Sequence, residues 1–401
     1  MVIDDTFPGP IPIRAKPDFL SPTILKPHTC DRLAKNMRHL RVPSAKTAFW
    51  VERCKENNWY ELGSGVLPLG DQRGIPLNDS APPISDAVWD GFEITEEVGT
   101  LRKTQYWTEH LPAILFENKT IQFPQSYEIQ GDVLLIKIPE EIEDIEHEIA
   151  QAMLNQYPNV RIICHDEGVD GEFRIRNLRV LDSRDGSTST QTRVKEHGHF
   201  IHVDPAKTYF SGRLSEQRKM THQAIVKFRE GFDRPLTVFD PYAGVGPSMA
   251  YLYTDPELTK CVYVNDMNPD TRDLLETNMN SFDKKRSRKG TYVVETMDAR
   301  LMKSSRPETT HMADVLLVNL PHNGIEHLPE LLPLLSIDRA LLCGWSIIEN
   351  SETEAFMDAL KTILHKGERE IESNTLDIVK GFSATKSMVR YECILSSITN
   401  R

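Results

Sequence analysis

A chain that contains Thr237-Val238-Phe239-Asp240-Pro241-Tyr242-Ala243-Gly244-Val245-Gly246-Pro247 has few ways to fold around it. β-formers lead into an Asp, and small residues and glycines then lead into a helix-compatible run: a strand, a tight turn and a helix start. Neither Gly244 nor Gly246 carries a Cβ, so the turn can bend sharply and a ligand can lie against bare backbone. Asp240, at the strand's end, is an acceptor beside that gap. With it, Tyr242, Ala243, Gly244 and Gly246 along the turn are the first candidate ligand contacts.

Cys261-Val262-Tyr263-Val264-Asn265-Asp266 is a second short apolar strand that ends in an acid. In doubly wound sheets an acid there binds ribose hydroxyls, and Asp266 falls about 20 residues beyond the Gly turn, as a nucleotide-like cofactor requires. The region has neither Gly-x-Gly-x-x-Gly nor Gly-Lys-Ser/Thr, so a pyrophosphate cradle and a P-loop are disfavoured. What remains is an adenosine without phosphates, which points to S-adenosylmethionine.

From about residue 215 onward helical and strand patterns alternate: helix 216–230, strand 236–240, helix 246–253, strand 261–265, helix 269–281, strands 291–295 and 315–319, helix 325–335, strand 340–345 and helix 353–366, with late strands near 376–379 and 390–395. Alternating β and α with a Gly-rich first turn predicts an α/β fold with a doubly wound, mainly parallel sheet. Before it, residues 127–206 read as a small α+β domain with one clear early helix over 142–155 and strands at 160–164, 172–181 and 200–203. Prolines recur through residues 1–30 too often for a helix, which predicts an extended arm. Residues 31–78 read as a small module, and 79–126, with Pro82, Pro83 and several acids near its start, as a linker or irregular segment.

With 39% hydrophobic and 26% charged residues, and no apolar run near the ~18 residues of a membrane span, the reading is a soluble globular protein. The acidic start Met1-Val2-Ile3-Asp4-Asp5 resembles neither a secretory signal nor a transit peptide. The cysteines are scattered without a Cys-x-x-Cys pair, so no metal site or disulfide framework is indicated and a reducing cytosol follows. A net charge of -12 argues against a nucleic-acid partner only until its distribution is read. Residues 139–170 hold nine acids against one Arg, whereas 171–222 hold ten Lys and Arg against six acids, and 284–289 add a further basic run.

Ligands in such sheets sit at the carboxyl ends of strands. Besides Asp240 and Asp266, two further strand ends carry polar groups. Asp298, with Ala299 beside it, can accept a hydrogen bond from an exocyclic purine amine, or can simply cap the following turn. Asn319-Leu320-Pro321 is a stiff corner that can aim an Asn side chain and an exposed carbonyl at a planar base. In Tyr209-Phe210-Ser211-Gly212-Arg213 an aromatic can stack on a base and an Arg fork can grip a guanine O6 and N7 edge; core packing and a surface ion pair are the ordinary alternatives. Arg174 and Arg176 alternate with apolar residues, as on the solvated face of a strand or in a phosphate-binding row; Arg174 is a catalytic candidate and Arg176, with Tyr209, a substrate contact.

These stretches, together with Asp266-Met267-Asn268-Pro269 and Asp298-Ala299-Arg300, resemble the tRNA (guanine-N1)-methyltransferases that modify guanosine 37 beside the anticodon, and their relatives in wyosine biosynthesis. The resemblance implies a class I (Rossmann-like) S-adenosylmethionine-dependent methyltransferase domain at 207–401, an RNA-binding α+β domain at 127–206 and, more loosely, a tRNA-docking module at 31–78. It also implies the roles: Arg213 holds the guanine O6, Asn319 and Pro321 position the base, and a carboxylate takes the N1 proton. A cytoplasmic, monomeric enzyme with tRNA as its partner and no membrane contact is expected.

One position departs from the pattern. The family's carboxylate stands four residues after the Arg, which is Gln217 here, with Glu216 one place earlier. Guanine N1 keeps its proton until a base removes it, and Gln cannot. Glu216 is the first candidate, reached through an irregular helix start, and His322 is another. An aminocarboxypropyl transferase using the same cofactor is the alternative inside the resemblance: Gly212 after Phe210-Ser211 leans that way, Arg213 and Asn319-Leu320-Pro321 lean toward methyl transfer. Outside it stand a tRNA-binding relative without catalysis, and a methyltransferase for another RNA base or a small molecule.

Overall fold

The computed structural model describes residues 32–61, 63–102, 106–116, 121–171 and 173–397. The Pro-rich arm expected over 1–30, and Glu172 of the basic strand, lie outside them. The chain divides into two units: one takes in the described residues up to Ile121 together with 151–157, the other the remainder.

The first unit is an antiparallel sheet with a helix across it. Strand β1 (Arg32–Pro43) runs into α1 (Thr47–Glu56), and β2 (Leu67–Leu69), β3 (Gln72–Pro76) and β4 (Ile94–Arg102) complete the order β2-β3-β1-β4. The expected boundary at 78 is therefore wrong: β4, inside the segment read as linker, pairs with β1 from Leu40↔Ile94 to Arg32↔Arg102. Pro82 and Pro83 do not make a tether, because the Arg38 guanidinium donates to the carbonyls of Asn78, Ala81 and Pro82. Trp89 then inserts into the core, with ring centroids 6.1 Å from Trp50 and 5.2 Å from Trp59.

The second unit begins with β5 (Tyr127–Gln130), β6 (Val133–Ile136), the first half of helix α2 (Glu146–Gln156), whose residues from Gln151 on belong to the first unit, β7 (Ile162–Asp170) and β8 (Ile175–Ser183), in the sheet order β5-β6-β7-β8. A hairpin of β9 (Thr192–Glu196) and β10 (His199–Val203) follows. Then come α3 (Ser215–Arg229), β11 (Leu236–Asp240), α4 (Met249–Leu252), β12 (Thr259–Asn265), α5 (Arg272–Asp283), β13 (Thr291–Glu295), α6 (Met302–Ser305), β14 (Val315–Val318), α7 (Gly324–Leu331), β15 (Arg339–Glu349), α8 (Thr353–Lys366), β16 (Arg369–Gly381) and β17 (Lys386–Ser397).

These last seven strands form one sheet in the order β13-β12-β11-β14-β15-β17-β16. β11 to β15 pair in parallel and β17 is antiparallel to both its neighbours. The doubly wound α/β reading holds, and its helices account for the burial: β11 and β14 are covered on both faces, and every residue in them is buried. The helix expected over 246–253 shrinks to α4, because Gly244 (φ 55°) and Gly246 (φ 78°) hold the chain in the left-handed region up to its first turn. Strand order reverses between β11 and β14. That is the crevice where such sheets take ligands.

Candidate active site

At the carboxyl end of β11, Asp240 is 1% exposed, and its Oδ1 has no hydrogen-bond partner among the described residues. Burial pushes its carboxyl up to about 7, against a stabilising Tyr242 N–H and with the Asp266 charge adding to the rise. A buried, half-satisfied acid facing a crevice is a group waiting for a donor or a positive charge.

Asp266, one strand over, works on the Gly turn directly. Its Oδ2 accepts from the Gly244 N–H at 2.9 Å and its Oδ1 from the Asn268 N–H at 3.0 Å, and burial raises its pKa. Each oxygen keeps a lone pair for a further donor, such as a ribose hydroxyl. Above Gly244 the nearest atom to the missing Cβ is the Tyr209 carbonyl oxygen, at 3.7 Å, so the segment that carries Tyr209 runs past the turn. Asn268 fixes it there, donating through Nδ2 to the Lys207 carbonyl at 2.8 Å.

Sequence reasoning missed Asn265. Fully buried, it donates from Nδ2 to the carbonyls of Pro241 and Met297, each at 3.0 Å, and accepts from the Met297 N–H at 3.0 Å. One amide thus ties together the loops after β11, β12 and β13. The signal was an Asn in the last position of an apolar strand, where it reads as a mere terminator. Asn265→Ala strands two carbonyls and one N–H, and should cost at least roughly 2 kcal/mol in denaturant unfolding; a cost under about 0.5 kcal/mol would show that the loops hold without it.

The Asn319-Leu320-Pro321 corner reaches the same crevice. β14 pairs with β11 as Val238↔Val315 and Phe239↔Leu316, and Asn319 follows directly on the last residue of β14. The Pro321 carbonyl accepts from the Ile347 N–H at 2.8 Å, which anchors the corner to β15. Arg213 arrives from the other direction: its neighbour Leu214 packs with Trp345 of β15 and Met388 of β17. Arg213 and Tyr209 are exposed, the latter by 56%. Tyr242 turns its hydroxyl away to His327 Nδ1, at 2.7 Å.

Three of the expected residues have side-chain partners of their own. The Arg176 guanidinium donates to Asp166 at 2.8 Å and Glu128 at 2.7 Å, cross-strand acids that make it a staple of the β5–β8 sheet. Asp298 caps the turn opened by Ala299, accepting from the Arg300 N–H, and both its oxygens also meet the Arg300 guanidinium, which holds its pKa below the usual carboxylate value. Only spare lone pairs remain there for a purine amine. Glu216 lies 64% exposed on the first turn of α3, 3.7 Å from Lys219. Arg174 is exposed with φ 53°, and its Nη1 meets His322 at 2.9 Å. Among the described residues no group of three or more His, Cys, Asp or Glu could hold a metal.

Residues 107–183 match the family described as "TYW2 N-terminal domain", and residues 192–371 match "TRM5/TYW2 methyltransferase domain". The chain carries a TRM5/TYW2 methyltransferase domain. Its relatives include the tRNA (guanine(37)-N(1))-methyltransferase Trm5b of Pyrococcus abyssi, 32% identical over 212 residues that cover 51% of this chain and 56% of that protein. Across that and two further relatives the matched share of the relative is 56%, 42% and 34%, so the chain spans about half, or less, of the length of the curated proteins it matches. The fold is that of the crystal structure of P. abyssi Trm5b, with a TM-score of 0.59 at 21% identity, covering 90% of this chain and 99% of that one. It is also similar to Methanocaldococcus jannaschii TYW2 solved in complex with AdoMet, with a TM-score of 0.50 at 17% identity, covering 68% and 100%. The TRM5/TYW2 domain holds the Gly turn, Asp266, Arg213 and the Asn319 corner within one matched stretch.

Proposed function

We propose that this chain transfers the methyl group of S-adenosylmethionine to N1 of guanosine 37 in tRNA. One observation carries the reading: the Gly244 turn, the acid pair Asp240 and Asp266, the Tyr209–Arg213 segment and the Asn319 corner meet at the point where the sheet's strand order reverses. The residues fit the cofactor, since a buried unpartnered Asp240 oxygen, a bare Gly244 and an acid at the end of β12 are what an uncharged-linker adenosine with a cationic tail needs. When bound, the cofactor supplies an electrophilic methyl on a sulfonium.

The protein's own part is binding and aim. Asp266 takes the ribose hydroxyls, Ala243 and Gly244 lie under the cofactor, and Ala299 with Asp298 bounds the ring. Arg213 offers its fork to O6 of an unstacked guanine, where negative charge grows as N1 loses its proton, and Tyr209 offers a stacking face. Asn319 and the carbonyl before Pro321 fix the plane of the base. This would be catalysis by positioning and charge stabilisation. The same reading makes the protein a cytoplasmic, monomeric enzyme with no membrane contact; on the last point, no helix of the described residues is long and apolar enough to cross a membrane.

Incubation with S-adenosylmethionine and tRNA carrying G37 or A37, followed by nucleoside mass spectrometry, should give one methyl on the guanosine and none on the adenosine. Equal methylation of both, or of neither, sinks the proposal. Aminocarboxypropyl transfer is the second reading, favoured by the match of residues 107–183 to the TYW2 N-terminal domain and by Gln217; its heavier product would appear in the same spectrum.

A further inference from the structure

The reaction needs a group to take the N1 proton, and Gln217 cannot. Glu216 is badly placed for it. On α3 it lies about 100° round from position 217, and its carboxylate sits in solvent beside Lys219. Leu214, at the end of the 3-10 turn that precedes α3, and Arg218, in its first turn, are both buried, and Gln217 follows Arg213 by four positions across that junction.

His322 stands at the other wall, one residue past the Asn319-Leu320-Pro321 corner. Arg174, on the β7–β8 hairpin, places Nη1 2.9 Å from its Nε2. A guanidinium has donors only, so Nε2 is the acceptor and the ring proton is on Nδ1. Partial burial, then the positive charges of Arg174 and Lys386, hold the ring's pKa below its ordinary value. Phe382, from the β16–β17 turn, closes the far side edge-on at 6.0 Å. The exposed imidazole thus carries its proton on Nδ1, its Nε2 lone pair is held by Arg174, and its surroundings favour the neutral form.

The Arg174–His322 couple is a donor beside an acceptor. Guanine presents the converse on its Watson–Crick edge, O6 as acceptor and N1–H as donor, and two hydrogen bonds to the base can replace the single one between the side chains. O6 has two lone pairs, so Arg213 keeps its place. Adenine sets an amine against Arg174 and a bare N1 against Nε2, and matches neither.

We infer that His322 is the proton acceptor for guanine N1 in this chain, standing in for the absent carboxylate, with Arg174 as the positioning residue that presets its tautomer. This rests on the methyl-transfer reading above. The N1–H bond breaks with its proton going to Nε2. N1 keeps the electron pair and forms the bond to the methyl carbon, while the S–C pair returns to sulfur, leaving a thioether. The imidazolium then returns its proton to water.

The test is single-turnover methylation of G37 tRNA by the full chain and by His322→Ala and His322→Gln, with calorimetric S-adenosylmethionine binding as the check on folding. Both variants should lose about 100-fold or more in rate and still bind the cofactor, and free imidazole should restore part of the rate to His322→Ala. In the wild type the rate should rise with pH through a limb below about 6.5, because only neutral imidazole accepts a proton, and that limb should vanish in His322→Ala. A variant within threefold of wild type overturns the inference, and Glu216→Gln then reads whether the carboxylate is used. A loss with no imidazole rescue and an unchanged acid limb also overturns it, since that is a structural defect. A wild type that makes no methylguanosine fails the underlying reading instead.

Discussion

Arg218→Ala should lose about 3–5 kcal/mol of folding stability, the largest effect expected from one side chain here. Arg218 and Glu196 are 4% and 3% exposed and joined through both guanidinium ends, Nε to Oε1 at 2.8 Å and Nη2 to Oε2. The Tyr251 hydroxyl donates to Glu196 at 2.7 Å, Nη2 also donates to the Ser211 carbonyl at 3.1 Å, and the guanidinium lies 5.4 Å from the centre of the Phe210 ring. Removing the arginine leaves a buried carboxylate with one phenol for company. The loss thus measures the abandoned charge more than the worth of the pair, and Arg218→Met with Glu196→Gln should recover much of it. Urea titration of the three proteins decides: a single-variant loss under 1 kcal/mol would mean that water reaches Glu196. Because the pair ties β9 to the start of α3, Arg218→Ala should also loosen the Tyr209–Arg213 segment.

The second large effect is a pH dependence. Asp240 has its carboxyl raised to about 7 in the folded protein, against an unfolded value near ~3.9. A folded value above the unfolded one contributes stability that is complete below about pH 4 and lost as pH climbs through 7. At 1.36 kcal/mol per unit the loss reaches roughly 4 kcal/mol at most. Asp240→Asn should remove that slope, so that the variant is more stable than wild type at pH 8 and not at pH 4. It should also bind S-adenosylmethionine more weakly, because a cationic ligand is what makes the buried charge worth holding; wild-type affinity should rise between pH 6 and 8 with proton release. Denaturant titrations at several pH values check the first part, calorimetry in buffers of different ionisation enthalpy the second. Parallel stability profiles for the two proteins would refute the assignment.

What could be read from the chain was local. The Gly244 and Gly246 turn, the acids at strand ends and the β–α alternation are each written within a few neighbouring residues, and the sheet was recovered from them. What was missed depends on partners far along the chain. β4 becomes a strand because β1 offers it nine paired positions, and Trp89 is a core residue because Trp50 and Trp59 wait for it. Arg176 finds its partners in Glu128, 48 residues away, and Asp166, ten away. Asn265 has its importance in carbonyls of two other loops. The Arg174–His322 contact joins residues 148 apart, and no spacing rule reaches that far.

The sheet ends at β16, a 13-residue strand that among the described residues is hydrogen-bonded on one side only, by β17. Such an edge is a template on which a second copy could add a strand. Here it is spoiled twice, by register shifts between Ile371 and Ser373 and between Ile378 and Lys380, and it carries exposed Glu370, Glu372 and Lys380 along its length. Any stranger lying alongside would find its ladder out of step and its neighbours charged, so the long antiparallel pair that finishes the fold also guards a crowded solution of these molecules against fibrous growth.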